Sequence, residues 1–235
     1  DELKNPVKIP YATIPGFRKS EVKGHSNELY IGNVSGKTVA IMKGRYHYYE
    51  GYSLFDVTFP TRVLHSLGVN KVIVTNAAGS LKLKISPGNI LLIKDHINLS
   101  ARNPLIGLSP DFGEKFIDLT DAYSNKLRKI AERTAKEEKI PLKSGVYVFL
   151  TGPSYETVSE IKMLAKLGGD VVGMSTVPEV ITANQLGMEV LGISSVTNYG
   201  TGLTKSKVNH KEVIDVNKRT AIDFIRLLKA VIKNI

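Results

Sequence analysis

Apolar residues in this chain come in short runs separated by longer amphipathic stretches. Leu29-Tyr-Ile-Gly-Asn-Val34 and Thr38-Val-Ala-Ile-Met42 read as two strands of a hairpin turning at Ser35-Gly36. Lys71-Val-Ile-Val-Thr75, Asn89-Ile-Leu-Leu-Ile-Lys94, Gly145-Val-Tyr-Val-Phe-Leu150, Asp170-Val-Val-Gly-Met174 and Glu189 to Thr197 read as further strands, rich in β-branched residues. Asn76-Ala-Ala-Gly79 reads as a tight turn ending one of them. Apolar positions at helical spacing predict helices over 54–67, 121–138, 158–167 and about 211–233. The first is interrupted at Pro60, where a kink or a new start is expected. Ser175-Thr176 is expected to cap one more helix, with Pro178 in its first turn. Residues 1–19 hold three prolines and no periodic element, and 98–119 and 199–209 read as loops, the first long enough to be functional. Strands alternating with helices place the chain in the α/β class, as one domain over 1–235.

Composition narrows the class. With 235 residues, 42% of them hydrophobic, the chain can bury one good-sized core. It has no cysteine, which excludes disulfides, a thiolate nucleophile and a Cys-based metal site. Its apolar runs are too short to span a bilayer and no signal-peptide pattern is present, so a cytoplasmic protein without a membrane partner is expected. The net charge of +10 fits either a nucleic-acid surface or a Lys-rich shell biased toward anionic substrates. The basic residues are dispersed and form no nucleic-acid signature, which favours the second reading.

Candidate chemistry gathers at strand ends, where open α/β sheets bind ligands. Arg45 and His47 stand two apart, so extended backbone puts both on one face, where a fork and an imidazole could hold a dianion. Arg45 could instead pair with a carboxylate such as Glu50. The turn at 76–79 could offer backbone N–H groups to an anion as a nest. Tyr155, Glu156, Met174 and Ser175 suit one small polar ligand with a flat part. Glu156 could also be a first-turn helix residue, Asn198-Tyr-Gly a turn, and His210 a capping histidine.

Gly44-Arg-Tyr-His-Tyr-Tyr-Glu-Gly51, Thr75-Asn-Ala-Ala-Gly79, Gly152-Pro-Ser-Tyr-Glu-Thr157, Gly173-Met-Ser-Thr-Val-Pro-Glu179, Val196-Thr-Asn198 and Asn209-His210 follow one another in this order. Together with Asp95-His-Ile-Asn-Leu99, Asn103-Pro-Leu105 and Thr120-Asp-Ala-Tyr123, the set closely resembles the trimeric, 6-oxopurine-type purine nucleoside phosphorylases, from about Lys8 to the C-terminus. The resemblance implies a central mixed β-sheet flanked by helices and phosphorolysis of purine nucleosides (inosine, guanosine and their deoxy forms) to base and ribose 1-phosphate. It implies that Arg45, His47, Ser175 and the Ala77 N–H hold phosphate. Tyr49 and Met174 would position the ribose and His210 would reach its 5′-hydroxyl; Tyr155 and Val172 would line the base, which Glu156 and Asn198 would hydrogen-bond. His47, Glu156, Asn198 and His210 are thus the expected catalytic set. Inorganic phosphate is a co-substrate and neither metal nor organic cofactor is implied.

Phe112 matches an aromatic residue that closes a neighbouring subunit's site, which implies a homotrimer. The family normally opens with a helix, a strand and a Gly-Ser-Gly phosphate loop, and Asp1 lines up just after them, so those elements are expected to belong to the natural protein. Methylthioadenosine phosphorylases, which typically carry Asp where this chain has Asn198, and a noncatalytic nucleoside-binding relative are the alternatives.

Overall fold

A computed structural model describes residues 3–22, 24–205 and 210–235, and of 210–214 the backbone alone. The chain starts with a three-stranded antiparallel sheet of β1 (Lys4–Pro10), β2 (Glu28–Val34) and β3 (Lys37–Lys43). The hairpin between β2 and β3 turns at Ser35 and Gly36, as expected, and both carry positive φ, the twist-matched geometry for a two-residue connection. β1 is the unexpected member. It is an almost wholly exposed edge strand, so its sequence shows no alternation, and an edge tolerates Pro6.

A second sheet holds β4 (Lys71–Ser80), β5 (Ile90–Asn98), β6 (Leu142–Phe149), β7 (Val171–Gly173) and β8 (Glu189–Tyr199). It is mixed, as expected, and also closes on itself in the order β4-β7-β6-β5-β8. β4/β8, β5/β6 and β6/β7 run parallel; β4/β7 and β5/β8 run antiparallel.

The expected turn at Asn76–Gly79 is instead strand. β4 runs on to Ser80 because β8 stays beside it, pairing Asn76 with Ser194 and Ala77 with Ser195, and the break is reduced to a bulge at Ala78/Gly79. Partner pairing outweighs the turn propensity of these small residues.

Among the described residues five α-helices pack around the strands: α1 (Leu54–Ser66), α2 (Asn125–Glu137), α3 (Val158–Lys166), α4 (Val177–Gln185) and α5 (His210–Asn234). α1 passes through Pro60 without a new start, capped by Ser53, whose hydroxyl accepts the Asp56 N–H at 3.0 Å. α2 begins at Asn125 rather than Asp121, because Ala122 and Tyr123 are drawn into the core and Ser124 is the cap. One face of the closed sheet, with Val74, Leu91, Tyr147, Phe149 and Val196, packs on α4. The other packs on α2 and α5 through Ile90, Leu92, Leu191 and Ile193, and on α3 through Val148 and Val172. Among the described residues no helix is long and apolar enough to cross a membrane.

Candidate active site

β3 delivers the chain to the site through Gly44, whose φ of 121° lies outside the range L-residues favour. A Cβ there would lie 2.8 Å from the Cβ of His25, so only glycine lets the two segments meet. The next residues are extended and alternate. Tyr46 turns into an aromatic cluster with Tyr11 and Phe17, leaving Arg45 and His47 on the opposite side, as the spacing predicts. The His47 ring stacks on Tyr49 at 4.6 Å and on His25 at 5.5 Å.

Glu50 is the anchor of this segment. Its carboxylate accepts the His47 N–H at 2.8 Å, lies 2.9 Å from His47 Nδ1, and accepts the Glu21 N–H at 2.9 Å and the Ser20 hydroxyl at 3.0 Å. Burial works against its charge, but the bonds from His47, Glu21 and Ser20 hold the carboxyl below the ordinary carboxylate range. A carboxylate only accepts, so His47 Nδ1 carries the hydrogen and Nε2 of the neutral ring is an acceptor. Burial pushes His47 below the usual histidine value; the Glu50 bond pulls the other way, and the Arg45 charge adds to the lowering. His25 is lowered by burial and then by Arg45.

Arg45 does not pair with Glu50. Its guanidinium donates to Glu179 on α4 at 2.7 Å and to the Thr75 carbonyl on β4. Glu179 is buried, and its second oxygen has no hydrogen-bond partner among the described residues. The expected cap of α4 is also different: Thr176 stands at the N-cap position with φ 79°, and its hydroxyl makes no capping bond. That hydroxyl instead accepts from the Asn76 side chain at 2.9 Å. Ser175 lies next to it, its N–H donating to the buried Tyr147 hydroxyl at 3.4 Å. Ala77 is exposed on β4, in extended backbone rather than in a nest.

The second half of the site is built with fewer bonds. Gly152 has φ 65°, and a Cβ there would collide with Met174 Sδ, so the thioether lies against bare backbone. α3 is capped by Thr157 with Glu160 completing the box, so Glu156 is not needed by the helix. Burial, the largest effect, raises the Glu156 carboxyl above its ordinary value, and nearby Glu160 adds to it. Tyr155 is 42% exposed. Burial pushes the Tyr49 phenol to about 12, with Glu50 and Tyr155 among the charges it feels.

Asn198 belongs to β8 rather than to a turn and is buried; its Nδ2 donates to the Tyr199 carbonyl at 3.0 Å, and its Oδ1 accepts from Thr197 at 2.9 Å. A Cβ on Gly79 would lie 3.1 Å from Asn198 Nδ2 and 3.6 Å from Val172, so Gly79 lets both side chains close on β4. The side chain of His210 lies outside the described residues. Phe112 rests on its own α1, edge-on to Phe55 at 5.7 Å and under the Arg62 guanidinium at 5.4 Å, and is 43% exposed.

His25 gives no periodic signal, Thr176 reads only as a helix cap, and Glu179 ends a motif with no partner assigned to it. Glu50 was legible as a possible partner, three residues from His47, but for the wrong cation.

The family model described as the phosphorylase superfamily matches residues 1–233. The chain is 48% identical to purine nucleoside phosphorylase 1 of Geobacillus stearothermophilus over 100% of its own length and 86% of the relative's. Solved structures of the Schistosoma mansoni purine nucleoside phosphorylase with inosine and with adenosine superpose with TM-scores of 0.94 and 0.93, each at 40% identity, over 99% of this chain and 85% of theirs. The chain belongs to the phosphorylase superfamily and, within it, to the purine nucleoside phosphorylases, a family of enzymes.

Proposed function

We propose that this protein cleaves the N-glycosidic bond of 6-oxopurine nucleosides with inorganic phosphate, giving the free base and (deoxy)ribose 1-phosphate. The observation that carries the reading is Arg45 and His47 on one face of an extended segment, with His47 stacked on Tyr49 and the Arg45 guanidinium 3.5 Å from the Thr176 hydroxyl, which lies 3.3 Å from that of Ser175. Phosphate accepts from Arg45, the Ser175 hydroxyl and the Ala77 N–H and donates its own O–H to His47 Nε2, with His25 stacked behind. Tyr49 and Met174 hold the ribose above it, and His210 serves the 5′-hydroxyl.

The chemistry is electrostatic. As the bond to the purine breaks, the ribose gains oxocarbenium character, and the phosphate anion beneath it stabilises that charge before one of its oxygens bonds to the anomeric carbon. The bonding pair leaves with the purine, where Asn198 can donate to O6 or N7 and Glu156 can accept from N1–H, and the proton that hydrogen phosphate gives up on bonding to carbon ends on a purine ring nitrogen. Phosphate is a co-substrate, and no metal or organic cofactor enters these steps. The working unit is a homotrimer in which Phe112 reaches the next subunit's site.

The test is release of hypoxanthine from inosine as phosphate is varied. Turnover that saturates with phosphate is expected; inosine binding without phosphorolysis would make the protein a nucleoside-binding relative.

A further inference from the structure

Among the described residues Thr176 is the only β-branched one at positive φ. Its φ of 79° and ψ of −54°, with the Val177 N–H donating to the Ser175 carbonyl at 2.9 Å, make a three-residue turn of the rare, strained hand. A β-branched side chain at positive φ is a true outlier, and such strain persists where the surroundings over-determine it.

The surroundings of Thr176 do so. Its side chain is fully buried, and its hydroxyl meets three elements at once: Asn76 Nδ2 of β4 at 2.9 Å, Arg45 of the segment after β3 at 3.5 Å, and Ser175 Oγ at 3.3 Å. Amide and guanidinium nitrogens only donate, so they occupy the two lone pairs of the hydroxyl. Its hydrogen is then left for Ser175 Oγ, which must accept, and the Ser175 hydrogen is free to point at an anion.

We infer that Thr176 is a positioning residue: one hydroxyl aligns the Arg45 guanidinium and sets the direction of the Ser175 hydroxyl, so that both present hydrogens to phosphate. The inference rests on the proposed phosphate site. It asks more than a capping threonine would supply, since the hydroxyl makes no bond to α4 at all.

Val and Ser separate the shape of the side chain from its hydroxyl. Thr176→Val keeps the branched shape and removes the oxygen; Thr176→Ser keeps the oxygen. With phosphate and inosine varied independently, Thr176→Val is expected to raise the phosphate KM about tenfold, the effect of one lost hydrogen bond to a charged group, while the inosine KM stays near wild type. Thr176→Ser should restore the phosphate KM. An unchanged phosphate KM in Thr176→Val, or an equal rise in both constants that serine does not rescue, overturns the inference.

If the valine variant does not fold, Asn76→Ala decides: it frees the threonine hydroxyl to turn, so a phosphate KM identical to wild type overturns the idea and a selective rise upholds it. Should wild-type protein fail to turn over inosine, the proposed reaction falls by itself. Titration calorimetry with inorganic phosphate then still compares Thr176→Val with wild type, weaker binding supporting the positioning role and equal binding refuting it.

Discussion

The two halves of the site are built by different means. On the proposed anion side the key side chains are tied to partners, Glu50 by backbone and side-chain donors, Arg45 by Glu179 and Thr75, and Thr176 by Asn76, while the second Glu179 oxygen and Asn76 Oδ1 have none among the described residues. On the base side, Tyr155 is open, Glu156 is left free by the helix it precedes, and Met174 is held by packing against Gly152. The difference fits what each half would do in the proposed reaction. A charge-bearing group in a low-dielectric site stabilises an anion best when it needs no reorganisation, so its partners are fixed in advance. A flat apolar face gains its energy from area and tolerates adjustment.

The largest effect should come from breaking the tied half. Arg45→Ala should lower kcat/KM for phosphate by roughly 10²–10³, the range for a lost charge-assisted pair that also strands the buried Glu179. The inosine KM should move far less, and steady-state kinetics with each substrate varied will separate the two. Equal changes would make Arg45 a structural residue shared by both halves.

The base side is sharpened by specificity. Adenine presents a lone pair at N1 where hypoxanthine has N–H, and an ionised Glu156 can only accept. Inosine should therefore be preferred over adenosine by on the order of a hundredfold in kcat/KM. Asn198→Asp, which supplies an acceptor to the 6-amino group, should narrow that ratio. The Schistosoma relative has been crystallised with adenosine as well as inosine, so occupancy alone does not measure this, and the ratio of specificity constants is the quantity to determine.

A smaller effect is expected at the proposed join between subunits. Phe112→Ala should stay folded and lose a few-fold in nucleoside affinity, since one aromatic contact to a ligand is worth about 1 kcal/mol. Light scattering that finds a fully active monomer would remove Phe112 from the neighbour's site.

The mildest probe is pH, where the halves carry opposite signs. His47 and His25 have folded values below the unfolded one, because burial disfavours the cation. Between those values the unfolded chain binds more protons, so stability is lost as pH falls below about 6.5. Glu156 is raised, so its contribution is lost as pH rises through its folded value. Melting temperature should decline from pH 7.5 to 5.5, and His47→Gln should flatten the decline, whereas Glu156→Gln should not.

Much of this was legible in the residues themselves. Alternation of short apolar runs with amphipathic stretches fixed the α/β class, the hairpin at Ser35-Gly36 and the helices, because both periods are local properties of the backbone. The residue types at strand ends pointed to a candidate site, since Arg, His, Glu and Asn at such positions have little reason to be there for packing. Local pattern could not see β1, which is exposed along its length, or the extension of β4 through Asn76–Gly79, which its partner strand β8 imposes. Nor could it choose partners. Arg45 meets Glu179 across 134 positions and Asn76 meets Thr176 across 100, distances over which sequence carries no geometric signal. Those pairings, the closure of the sheet and the strained turn at Thr176 exist only once the strands have docked, because each is held by groups from elements that meet nowhere but in the folded chain.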